Sequence, residues 1–93
     1  MIKSFRCKET LRIFNLELSK KLPRSIQQRA YEKLRMLHNS KDLNDLRVPP
    51  ANNLEKLKGD RAENYSIRIN KQWRICFKWT NGIAEDVEII DYH

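Results

Sequence analysis

An α+β fold, with a helix hairpin laid on one face of an antiparallel sheet, is what this sequence predicts, and three observations carry the expectation. Before residue 40, apolar residues recur at spacings of three and four, the mark of amphipathic helices. From Leu54 onward the period changes to two, the mark of half-buried strands. Between the two regimes stands Pro49-Pro50, which withholds backbone donors and keeps the residues before it extended. A chain of 93 residues has room for one such domain, spanning residues 1–93.

Each element follows from its own residues. Ile2 to Phe5 alternates and reads as an edge strand ahead of the helices. Across residues 8–21, Leu11, Phe14 and Leu18, followed by Leu22, form a narrow helical stripe that Pro23 stops. Pro23 or Ser25 opens a second helix with the stripe Ile26, Ala30, Leu34 and Leu37, ending near His38 and Asn39. Ser40 is the expected cap of a short third helix through Lys41 to Leu46, with Leu43 and Leu46 turned inward. Residues 48–53 should be an extended loop, residues 54–58 a strand, and Gly59, Asp60 and Arg61 a turn.

Residues 65–79 organise the rest, as two alternating runs about a polar turn. Ile67, Ile69, Trp73, Ile75, Phe77 and Trp79 fall on one face; Arg68, Arg74, Cys76 and Lys78 fall on the other. Keeping isoleucine opposite isoleucine or tryptophan requires paired positions that sum to an even number, which selects an odd loop around Asn70, Lys71 and Gln72. Arg68 then lies beside Arg74. Like charges facing each other across a sheet lose stability unless an anion or an acidic partner is present, so this face reads as a surface for a polyanion. Asn81-Gly82 turns the chain once more, and Val87 and Ile89 of the last strand pair best with Phe77 and Ile75.

The net charge of +7 favours phosphate backbones or an acidic protein partner. It is unevenly spread, because residues 83–93 hold four acids and neither lysine nor arginine. No apolar run approaches the roughly 18 residues that span a membrane, and the start lacks a secretory h-region, so a cytoplasmic protein is expected. Cys7 and Cys76 lack metal-ligand spacing and read as reduced thiols. His38 and His93 are the only imidazoles, and a zinc site would have to collect its ligands from scattered positions, so neither a metal nor a cofactor is expected.

If the helices cover the Trp73, Ile75 and Phe77 face, the Arg68, Arg74 and Lys78 face stays open. Lys58 and Arg61 reach its rim, and the last strand ends alongside in Asp91, Tyr92 and His93. RNA cleavage without a metal needs a base for the 2′-hydroxyl proton, cations for the phosphorane, an acid for the leaving oxygen and a platform for an unstacked base. These residue types supply all four.

The segments Leu57-Lys58-Gly59-Asp60-Arg61, Ser66-Ile67-Arg68-Ile69-Asn70 and Gln72-Trp73-Arg74-Ile75-Cys76-Phe77, with the ending Asp91-Tyr92-His93, resemble the HigB toxins of the RelE/ParE superfamily. The resemblance is specific over residues 48–93 and looser before them. It implies a RelE-like microbial RNase-type fold and a metal-independent, ribosome-dependent endoribonuclease that cuts mRNA in the decoding site and leaves a 2′,3′-cyclic phosphate. It also implies a HigA-type helix-turn-helix antitoxin, with operator DNA met only through that antitoxin. Arg74 would stabilise the transition state and Lys58 contact phosphate. His93 would act as base or acid, assisted or oriented by Asp91, and Tyr92 would stack on or hydrogen-bond the reacting nucleotide. Arg61, Arg68, Lys71 and Lys78 would bind RNA backbone.

Glu55 stands where the family pattern has a histidine. Either Glu55 takes the proton itself or His93 and Asp91 manage alone. Strand alternation sends Tyr92 to the Arg74 face and Asp91 and His93 to the other, so a bulge or bend at the end of the strand would be needed to bring all three together. The alternative on the same scaffold is a toxin that blocks the ribosome without cutting, or a ParE-like gyrase poison.

Overall fold

The computed structural model describes residues 1–58 and 63–91. In chain order the elements are α1 (Lys8–Phe14), α2 (Arg24–Asn39), two short 3-10 turns (Leu43–Arg47 and Pro50–Asn52), β1 (Glu55–Lys56), β2 (Asn64–Arg68), β3 (Trp73–Thr80) and β4 (Ile83–Asp91). The four strands form one antiparallel sheet in the order β1-β2-β3-β4.

The central hairpin has the expected register. Ile67 pairs with Ile75, Arg68 with Arg74, and Ile75 in turn with Ile89. Asn70 closes the loop: its Oδ1 accepts the backbone N–H of Gln72 and of Trp73, each at 2.8 Å. Ile67, Ile75, Phe77, Val87 and Ile89 then form the sheet side of the core, and Ile26, Ala30, Leu34 and Leu37 of α2 form the helix side, all of them buried. Both helices therefore lie on the isoleucine face, as alternation requires.

The first helix is half as long as its leucine spacing predicts. It ends at Phe14 because Leu16 takes a left-handed conformation (φ 61°), and two backbone bonds close the end, Leu16 N–H to Ile13 O and Glu17 N–H to Arg12 O. This is the Schellman closure, here with leucine where glycine is usual. Ser19 then fixes the connection: its N–H donates to Gln27 Oε1, its carbonyl accepts Gln27 Nε2 at 2.8 Å, and its hydroxyl donates to Glu9 Oε1 at 2.6 Å. The buried face of α1 is consequently Thr10 and Ile13, while Leu11, Leu16 and Leu18 are exposed.

Ser40 does not cap the next turn. Its hydroxyl donates back to Met36 O at 2.7 Å, and the cap is Asp42, which accepts Asn44 N–H while Asp45 reaches back to Asp42 N–H. Residues 48–53 contain a 3-10 turn rather than a purely extended loop, and the strand expected over 54–58 is limited to Glu55–Lys56. The expected N-terminal edge strand is two isolated parallel bridges, Ile2 to Ala84 and Phe5 to Val87. The reason lies in β4, where Asp86 (φ 53°) makes a bulge opposite Phe77, so that Cys76 pairs with Glu88 but Lys78 with Glu85. Ser4 fills the break, its hydroxyl accepting Asp86 N–H and its carbonyl accepting Val87 N–H. Among the described residues, no helix is long and apolar enough to cross a membrane.

Candidate functional site

The polar face of the sheet is built around Arg74. Strand pairing puts Arg74 opposite Arg68 on one side and Ile90 on the other, and the neighbouring row is Glu55, Ser66, Cys76 and Glu88. Arg74 is not open to solvent as expected: it is 5% exposed, and Ser66 and Cys76 are buried with it. What covers this face is not a helix but the segment leading into β1. The guanidinium's partners include Ser66 Oγ, which accepts from Nε at 2.9 Å, Asn53 O, which accepts from Nη2 at 2.5 Å, and Glu55 Oε1, which lies 3.0 Å from Nη1. A buried cation is tolerable only when its donors are matched in this way.

Local sequence explains how the carbonyl arrives. After Pro50 the chain makes one 3-10 turn and leaves it through Asn53 in a left-handed conformation (φ 44°, ψ 58°). Asparagine tolerates that region better than most residues. Asn52, fully buried, anchors the turn: its Nδ2 donates to Leu46 O at 3.1 Å and Val48 O at 3.4 Å, and its Oδ1 accepts Lys33 Nζ from α2. With Asn52 fixed, the Asn53 carbonyl points at Arg74 and the Asn53 side chain donates to Glu55 Oε1 at 3.4 Å.

The Glu55 carboxylate therefore stands between a buried cation and solvent, its side chain 47% exposed against 7% for that of Arg74. Such a pair is chemically competent in two ways. The guanidinium can stabilise negative charge at the mouth of the site, and the carboxylate beside it can accept a proton.

The other candidates spread out from this centre. Arg68 is half-buried and donates from Nε to Asn70 O at 3.0 Å. Lys71 is exposed in the hairpin loop, and Lys58 is exposed just past β1. Lys78, half-buried, lies 4.0 Å from Glu63. Asp91 pairs with Trp73 rather than Arg74, and its Oδ2 accepts Gln72 Nε2 at 3.0 Å. The register thus puts Asp91 on the face away from Arg74, as simple alternation predicts. The bulge of β4 lies at Asp86, before Asp91, and leaves that alternation intact. Arg61, Tyr92 and His93 lie outside the described residues. Among the described residues, no three His, Cys, Asp or Glu side chains gather as a metal site would require.

Sequence reasoning missed Ser66, Asn52 and Asn53. A small polar residue in mid-strand next to the arginine row was a signal for Ser66. The Pro-Pro-Ala-Asn-Asn run signalled a turn, but not which carbonyl it would deliver.

The family model described as "RelE-like toxin of type II toxin-antitoxin system HigB" matches residues 3–93. Toxin HigB-1 of Vibrio cholerae serotype O1 is 41% identical over 63 residues, covering 68% of this chain and 66% of that protein, so the chain spans just under two thirds of that relative's length. Endoribonuclease HigB of Proteus vulgaris is 31% identical over 93 residues and the whole of both chains. Among solved structures, YafQ from E. coli superposes with a TM-score of 0.65 over 98% of this chain and 91% of its own, at 10% identity, a likeness of fold. By family model and full-length relative together, the chain belongs to the HigB-like family, the RelE-like toxins of type II toxin–antitoxin systems.

Proposed function

We propose that this protein is a ribosome-dependent, metal-independent endoribonuclease that cuts mRNA in the decoding site and so stops translation. The observation that carries the reading is the Arg74–Glu55 pair, a cation held at the floor of the polar face with a carboxylate at its solvent edge. In this reading Glu55 accepts the proton of the ribose 2′-hydroxyl. The 2′-oxygen attacks phosphorus, Arg74 neutralises the charge that builds on the phosphorane oxygens, and the bond to the 5′-oxygen breaks. That oxygen takes up a proton from His93, a role that rests on family resemblance, and a 2′,3′-cyclic phosphate is left. Charge neutralisation by a matched guanidinium is the service that would otherwise fall to a metal ion.

Asp91 serves in this reading as a partner for the terminal residues rather than for Arg74, and Tyr92 as a stacking platform. Lys58 and Arg61 hold phosphate at the rim, with Arg68, Lys71 and Lys78 along the backbone of the RNA. The natural partner is an antitoxin of the HigA type, carrying its own helix-turn-helix, through which alone the protein would meet operator DNA. The compartment is the cytoplasm, where the ribosome-bound message is.

Addition of the protein to a reconstituted translation system, followed by mapping of 5′ ends, tests this. New ends should appear only when ribosomes are present and should fall steeply with Arg74→Ala. Arrest without new ends would identify a ribosome blocker instead, and DNA breaks with intact mRNA in a supercoiling assay would identify a gyrase poison.

A further inference from the structure

A second cationic feature lies at the tip of the β2–β3 hairpin, where α2 meets it. A groove of about 250 Å³ is lined by Arg29, Ala51, Arg68, Ile69, Asn70 and Lys71. Its arginines come from parts of the chain 39 positions apart, yet both are tied to the same turn: Arg29 Nη1 donates to Ile69 O at 3.5 Å and Arg68 Nε to Asn70 O at 3.0 Å. Backbone carbonyls orient the two guanidinium groups without neutralising them. None of the ion pairs among the described residues involves Arg29, Arg68 or Lys71. The one acid of α2, Glu32, lines an adjoining cavity rather than the groove and accepts Gln28 Nε2. Lys33, one turn along α2, is held below its ordinary pKa, first by burial and then by the charge of Arg29, with Glu32 opposing. The charged side chains that line the groove itself, Arg29, Arg68 and Lys71, are all cationic.

We infer that this groove is a binding site for the sugar–phosphate backbone of RNA, with Arg29, Arg68 and Lys71 as its phosphate ligands. The inference rests on the nuclease reading above and adds Arg29, a helix residue, to the surface that reading uses. Two observations favour a polynucleotide over an acidic protein segment. Arg68, which lines the groove, is the cross-strand partner of Arg74, so the groove adjoins the strand position of the candidate cleavage site. Ala51, which also lines the groove, belongs to the turn that delivers the Asn53 carbonyl to Arg74. A strand whose scissile phosphate lies against Arg74 would thus carry a neighbouring phosphate toward Arg68 and Arg29.

The test is the salt dependence of binding to a short single-stranded oligoribonucleotide with 2′-O-methyl riboses, which cannot be cleaved, read by fluorescence anisotropy. Removing one cation that neutralises a phosphate should flatten the slope of log affinity against log salt by about 0.7. Lys71→Gln and Arg29→Gln should each do so by about one such step. Lys71 is exposed in a loop, so its variant holds the test even if Arg29→Gln unfolds, and Arg29→Lys should restore the slope. Lys20→Gln, which removes an equal charge from an exposed position outside the groove, should leave the slope unchanged. Equal slopes for Lys20→Gln and Lys71→Gln would overturn the inference, as would loss of antitoxin affinity in the groove variants with RNA binding intact. Ribosome-dependent cleavage by the unaltered protein, measured alongside, separates failure of the groove from failure of the nuclease reading.

Discussion

The two faces of the sheet are both largely buried, but by different means. On the isoleucine face, Ile67, Ile75, Phe77 and Ile89 meet the stripe of α2, and close packing of carbon against carbon excludes water. On the arginine face, Ser66, Arg74 and Cys76 are also buried, yet among the described residues it is hydrogen bonds, from Arg74 to Ser66 and to the turn at Asn53, that tie the cover down. The first kind of burial contributes stability in proportion to area. The second roughly offsets the cost of desolvating a charge, and its product is position. The core face should therefore govern whether the chain folds, and the arginine face what it does once folded.

Phe77→Ala strikes the core side of that contrast most heavily. A loss of about 3–5 kcal/mol is expected in a denaturant titration, with residual cleavage falling only as the folded fraction falls. Arg74→Ala should do the opposite, lowering ribosome-dependent cleavage about 10²–10³-fold while the protein still melts cooperatively. If Arg74→Ala abolished folding, the two faces would not differ as described. Asn52→Ala lies between the extremes. It strips partners from Leu46 O and Val48 O, so about 1–3 kcal/mol of stability should be lost. Because the Asn53 carbonyl is then less well held, cleavage should fall by more than the folded fraction does.

Smaller effects belong to the supports of the core. Leu16→Gly should raise stability by about 1 kcal/mol, since glycine takes the left-handed conformation without the penalty leucine bears. His38 should give the smallest signal. Its Nδ1 accepts Ile2 N–H, and burial first, then Arg35 and the α-amino group, hold its pKa below the ordinary 6.5. Below the unfolded value, the unfolded chain takes up a proton that the folded chain refuses. Stability should therefore decline as the pH drops from 6.5 toward the folded value, and His38→Gln should flatten that slope in denaturant midpoints.

What could be read from the sequence was whatever depended on near neighbours. The parity of the hairpin fixes Ile67 opposite Ile75 and Arg68 opposite Arg74, because alternation is a property of each strand. The stripe of α2 is legible for the same reason, and the family resemblance supplied the likeness to RelE-type toxins. The length of α1 was not legible: its leucine spacing is overruled by a left-handed Leu16 and by Gln27, which reaches across the connection to Ser19. Nor was the burial of Arg74, whose carbonyl partner comes from Asn53 on another element. Arg29 escaped notice because the Ile69 carbonyl that orients it is 40 positions away in the chain.

The turn at Asn81-Gly82 looks like the ordinary tip of a hairpin, the place where a peptide epitope or a reporter is usually grafted. It does not hang free: a methyl group added to Gly82 (φ 80°) would come within 3.1 Å of Lys41 O. That corner is wedged against the bend after α2, so lengthening it would force the two connections apart, and homologues that carry extra residues in one should carry a matching change in the other.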